Sequence, residues 1–128
     1  MNVKLSGDEL IKGQKQSQKL CVESLGNGRF TIEELEILVG ELKDKNENLI
    51  KSCKKTTTIK TKSYGGTINL IKVPEIIQRD EYKNNQELIV ALTTQINIAK
   101  HNNLKMINDF DFTDEQILEY GKSQNIII

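Results

Sequence analysis

The stretch FTIEELEILVGELKDKNENLIKSC (Phe30–Cys53) begins with a helix start and continues as a seam. Phe30-Thr31-Ile32-Glu33-Glu34-Leu35 is a capping box with a hydrophobic staple. The Thr31 hydroxyl accepts from the amide three residues on, Glu34 reaches back to the cap, and Phe30 meets Leu35. The pattern predicts a helix over 32–54. With Ile32 at heptad position a, Leu35 is d, Val39 a, Leu42 d, Asn46 a, Leu49 d and Cys53 a. β-Branched residues at a, Leu at d and one Asn at a is the pattern of a parallel two-stranded coil. Leu38 and Ile50 lie outside the seam and widen the apolar face. Gly40 costs about 1 kcal/mol relative to Ala in a helix. The stretch therefore reads as a helix with two uses. It is either a core helix packed on a later helix or the strand of a self-pairing coil. In the second case Ile32, Leu35, Val39, Leu42, Asn46 and Leu49 form the oligomer seam, and Asn46 sets its register.

The same box recurs on both sides. Leu5-Ser6-Gly7-Asp8-Glu9-Leu10 and Phe112-Thr113-Asp114-Glu115-Gln116-Ile117 carry the same cap and staple, with acids in the first turn where the helix dipole favours them. The residues that follow diverge, so this is a shared start signal and not a repeat. Helices are expected over 7–24 and 114–123. The first has a weak apolar stripe, Leu10, Ile11, Leu20, Cys21 and Leu25, interrupted by the polar run KGQKQSQK, and reads as half exposed or held by a partner. GNGRF ends it, with Gly26 and Gly28 suited to a left-handed cap.

After the second helix the composition changes. TTTIKTKSYGGTINLIKV is rich in β-branched residues, and SYGG supplies a turn, which predicts a hairpin of strands 56–62 and 67–73. Its second strand is apolar on both faces and reads as either central or bulged. A lone hairpin is marginal in water and needs a neighbour. Pro74 ends the strand, and PEIIQRDEY follows as a short helical turn. NNQELIVALTTQINIAKHNN gives a broad apolar stripe, Leu88, Ala91, Leu92, Ile96 and Ala99, widened by Ile89, Val90 and Ile98, within a helix over 80–101. The terminal NIII needs cover, as a short strand or against a neighbour. The expected fold is α+β: one mainly helical domain over 1–128, four helices, with a central Lys/Thr-rich β-hairpin between helices two and three.

At 128 residues, with 18 basic and 18 acidic side chains, the chain's net charge makes no case for nucleic acid or a membrane. Lys, Ile and Asn are roughly a third of the residues, a bias of AT-rich codons that suggests a low-GC bacterium or its phage. The opening MNVKLSGDEL has no apolar core of signal-peptide length, and no apolar run approaches the roughly 20 residues of a membrane helix. A cytoplasmic protein is expected, with Cys21 and Cys53 as reduced thiols.

No catalytic or cofactor signature is present, so neither an enzyme nor a cofactor is expected. Two cysteines and the lone His101 do not make a zinc site. The acids of NDFDFTDE lack the order of a calcium loop, and Thr113 accounts for those that follow it as a capped helix start. One charge asymmetry remains: residues 51–73 hold six Lys and no acid. Lys54, Lys55, Lys60, Lys62 and Lys72, with Tyr64 at the tip, could contact phosphates and stack on a base, or could form a solvated face that blunts an edge strand. The expected function is a non-enzymatic binding protein acting through protein contacts, an adaptor or inhibitor of the kind mobile elements encode, and a homo-oligomer. The alternative is a nucleic-acid or nucleotide binder using the basic hairpin.

Overall fold

A computed structural model describes residues 4–127. In order they form α1 (Gly7–Leu25), β1 (Arg29–Thr31), α2 (Ile32–Ser52), β2 (Thr56–Lys62), β3 (Ile68–Pro74), a 3-10 turn (Glu75–Gln78), α3 (Asp80–His101), β4 (Met106–Asn108) and α4 (Asp114–Ser123). The fold is α+β and mainly helical, with the hairpin β2–β3 between the second and third helices. Contacts gather the chain into two compact units, Met1–Gly40 with Leu88–Ile128, and Glu41–Glu87.

The first unit is set by its caps. Ser6 Oγ accepts from Glu9 N at 3.2 Å, and Glu9 Oε1 accepts from Ser6 N at 3.3 Å. Thr113 and Gln116 make the same reciprocal pair at α4. At α2 only half the box forms: Glu34 N donates to Thr31 Oγ1, and that hydroxyl donates back to Glu34 Oε1, both at 3.1 Å. The backbone around Thr31 has other work, because β1 pairs antiparallel with β4, Phe30 opposite Ile107. This small sheet leaves no pattern in the sequence. Its strands are three residues each and are closed from far along the chain. Gly28 N donates to Asp109 Oδ1, and Asp109 N to Gly28 O, both at 2.7 Å. Phe30 and Phe110 stack above this closure with centroids 5.2 Å apart, and Phe110 and Phe112 are buried.

The polar run of α1 is less solvated than it reads. Gln18 is buried, and the buried Gln95 of α3 donates from Nε2 to Gln14 Oε1 at 3.3 Å. Beside them Leu10, Leu92, Ile96, Ile98 and Ile117 make an aliphatic core. Val90, read as part of the stripe, is instead exposed. Ile126 and Ile127 are half-buried. Asn125 turns the backbone with φ 55°, Ile126 N donates to Gly121 O, and Ile127 bridges Leu5 in parallel. Gly121 makes this possible. A Cβ there would lie 2.7 Å from Ile127 Cδ1 and closer still to Leu10 Cδ2. Ile128, the last of the terminal triplet, lies outside the described residues.

The seam of α2 receives its cover within the chain. Ile32, Leu35, Val39, Leu42 and Asn46 are buried, and Leu49 is half-buried. A self-pairing coil on this face would have to displace what covers them. In the second unit Asn46 Nδ2 donates to Tyr82 O and Gln86 Oε1, both at 3.2 Å, and its Oδ1 accepts from Asn85 Nδ2 at 2.9 Å. With every side-chain polar atom engaged, the buried Asn46 ties the facing turns of α2 and α3 in this unit together.

Removing those bonds leaves partly buried partners without an acceptor and donor. Asn46→Ala is expected to lower unfolding free energy by about 1–3 kcal/mol in chemical denaturation, with solution mass unchanged. A change of mass would place Asn46 between chains instead. Cys21 supplies a pH test. It is fully buried, and burial pushes its thiol from the ordinary 9.0 up to about 12. Between those values the unfolded chain has lost a proton that the folded chain keeps, so stability falls as pH rises above about 9. Comparing denaturation midpoints at pH 8 and pH 11, Cys21→Ala should lose less stability over that interval than the native chain; an equal loss would contradict the burial of this thiol.

Candidate binding surface on the hairpin

The hairpin belongs wholly to the second unit. Its register is unbroken from Thr56 opposite Pro74 to Lys62 opposite Ile68. Side chains two apart on a strand share a face. One face therefore carries Thr58, Lys60 and Lys62 with Lys72, Leu70 and Ile68. The other carries Thr57, Ile59 and Thr61 with Val73, Ile71 and Asn69. On β2 the second face is half-buried and the lysine face exposed. In this register Lys72 shares the face of Lys60 and Lys62: it is opposite Thr58, and Leu70 is opposite Lys60.

The tip is a turn closed by Ser63 N donating to Thr67 O at 2.8 Å and Gly66 N to Ser63 O at 2.9 Å. Gly66 adopts φ 84°, which a side chain would resist. Tyr64 on this turn is fully exposed. None of Lys54, Lys55, Lys60, Lys62 and Lys72 lies within ion-pair distance of a carboxylate among the described residues, whereas Lys51 pairs with Glu47 at 3.3 Å.

Lys54 and Lys55 sit elsewhere, at the foot of the hairpin. There they line a cavity of about 340 Å³ with Leu49, Cys53, Ile76 and Arg79. Arg79 Nη2 meets Glu75 Oε1 at 3.4 Å, and Cys53 Sγ donates to Lys55 O at 3.2 Å. Arg79 was not among the residues read from sequence. It lies beyond the lysine cluster, and its approach depends on the 3-10 turn that reverses the chain after Pro74. From this cavity to Tyr64 the hairpin spans about 20 Å. The cations are thus strung along a ribbon and do not converge on one point, an arrangement suited to an extended partner more than to a compact nucleotide.

The other expected chemistry is dispersed. Asp109 is engaged with Gly28. His101 is exposed, with its ring edge-on to Tyr120 at 6.2 Å. Among the described residues no three His, Cys, Asp or Glu side chains come close enough to share a metal ion, and no helix is long and apolar enough to cross a membrane. No family of proteins, no curated protein and no solved structure matches the chain.

The hairpin also exposes hydrocarbon. Ile68, Leu70 and Ile71 keep 65%, 66% and 46% of their surface, and no residue of β3 from Ile68 to Lys72 is covered. Burying each such aliphatic side chain is worth roughly 1.5–3 kcal/mol when complete. This strand is where the second unit has most to gain from a partner.

Proposed function

We propose that the protein is a non-enzymatic binding protein that acts through protein contacts, an adaptor or inhibitor that is itself homo-oligomeric, with the hairpin as its contact surface. The observation that carries this reading is the exposure of Ile68, Leu70 and Ile71 on one short strand. Aliphatic side chains offer nothing to a phosphate, and a contiguous exposed apolar strand is a pairing surface. The cytoplasm and a mobile-element origin fit the composition and complete the proposal.

A second reading has its own observation. Lys60, Lys62 and Lys72 lie on one face without ion pairs among the described residues, below an exposed Tyr64. This would suit a nucleic-acid strand followed along the ribbon.

Solution mass measured alone and with added single-stranded and duplex oligonucleotides separates the two. The contact reading expects self-association without nucleic acid and no complex with it. If phosphates are bound, affinity falls with salt, and Lys60→Ser with Lys62→Ser lowers the slope of log affinity against log salt by about 2, with the fold retained. A chain that shows no retention on immobilised nucleic acid at low salt excludes the second reading, and the two lysines then tolerate substitution freely.

A further inference from the structure

β3 has the sequence of a central strand in the position of an edge strand. Its apolar residues fall on both faces, Ile68 and Leu70 on one, Ile71 and Val73 on the other, the pattern of a strand inside a sheet with both faces covered, or of a bulge. The register with β2 contains no bulge. β2 alone flanks it. Among the described residues every other strand is already paired: β1 with β4, and Leu5 with Ile127. A second neighbour for β3 would come from another chain.

The phase of the ladder shows which backbone groups await it. Ser63 N donates to Thr67 O, and Glu75 N to Lys55 O. With this register the odd-numbered residues exchange the internal bonds, and the even-numbered ones turn outward. Ile68, Leu70 and Lys72 therefore present N–H and C=O on the free side of β3, and Pro74 ends the donor row. On the free side of β2 the corresponding residues are Thr58, Lys60 and Lys62. Lysine on an edge is a barrier to pairing. The β2 edge carries two outward lysines, Lys60 and Lys62, at the tip half of the hairpin, and the β3 edge carries apolar Ile68 and Leu70 there, with Lys72 and Pro74 towards the foot.

We infer that β3 pairs antiparallel with β3 of a second copy about a two-fold axis at Leu70, joining two hairpins into a four-stranded sheet. This rests on the protein-contact reading and names its partner. Leu70 then lies opposite the second copy's Leu70, and Ile68 opposite the second copy's Lys72, with about six hydrogen bonds from three closely spaced pairs. Ile68 and Leu70 of both copies meet at the centre of one face. Ile71 lies beside the second copy's Asn69 on the other. The Lys/Thr strands become the two outer edges, where charge belongs. Like charges stay apart: the nearest lysines across the pairing, Lys62 and the second copy's Lys72, are two strand spacings distant, about 10 Å, beyond the screening length of about 8 Å at physiological salt. Lys72 faces Ile68 and not another lysine. A symmetric pairing of this kind closes at two copies, because it consumes the one receptive edge each copy has.

The test is mass by light scattering from micromolar to near-millimolar concentration, on the full chain and on Leu70→Pro. Proline removes an outward N–H and no internal ladder bond, so the hairpin is retained while the pairing is lost. The native chain should give a dimer at the upper concentrations and Leu70→Pro a monomer throughout, with unchanged circular dichroism. A second variant keeps the test decisive if proline disturbs the strand. In a Cys53→Ser background, Leu70→Cys places two thiols in a pair whose Cα atoms are about 5.5 Å apart, within disulfide range. Oxidation should yield a covalent dimer, while Lys62→Cys in the same background should not. A dimer that survives Leu70→Pro and resists the Leu70→Cys cross-link overturns this pairing and leaves the protein-contact reading intact. A monomer at every concentration overturns the pairing, and one that also binds an oligonucleotide through Lys60 and Lys62 overturns the contact reading with it.

Discussion

Two antiparallel strands alone bury little, and β3 carries apolar side chains on both faces of such a ladder. Every backbone group it turns outward is satisfied by water or by another strand. That constraint links the hairpin's composition to its behaviour. Lysine and threonine hold the β2 edge open to solvent, while Ile68, Leu70 and Ile71 make the β3 edge costly to leave bare. The second unit is otherwise well satisfied. Asn46 has its amide fully engaged with Tyr82, Asn85 and Gln86, so the helices of this unit need no second copy to settle their register.

The helical frame was legible because its signals are local. Three Ser/Thr-x-x-Glu/Gln boxes mark the three starts at Gly7, Ile32 and Asp114, and the bonds that form them span three residues. Helix ends agree to within one or two residues for the same reason. The β1–β4 sheet was not legible. Its strands are too short for a period to show, and the bonds closing it, Gly28 to Asp109, join residues 81 apart in sequence. Asp109 carries no sign of that duty in its neighbours.

The seam of α2 shows where periodicity stops being informative. Ile32, Leu35, Val39 and Leu42 had to be covered, and they are. A heptad pattern states which face is apolar and says nothing of whether its cover comes from the same chain or another. Asn46 reads the same either way, and its bonds to Asn85 and Gln86 could not be read from the period. The hairpin site divides similarly. The period of two put Lys60 and Lys62 on one face, and the register added Lys72. The separation of Lys54 and Lys55 into a different cavity with Arg79 depends on the turn after Pro74. The strand's two-faced pattern left central and bulged positions open, and the continuous register removes the bulge.

The most direct measurement is residue-resolved amide hydrogen exchange along β3 at low and high protein concentration. Asn69, Ile71 and Val73 face β2 and should be protected at both. Ile68, Leu70 and Lys72 face outward and should exchange fast in dilute solution and slow together as concentration rises. Outward amides that exchange fast at every concentration would contradict the account, since β3 would then be an edge strand that no second copy meets.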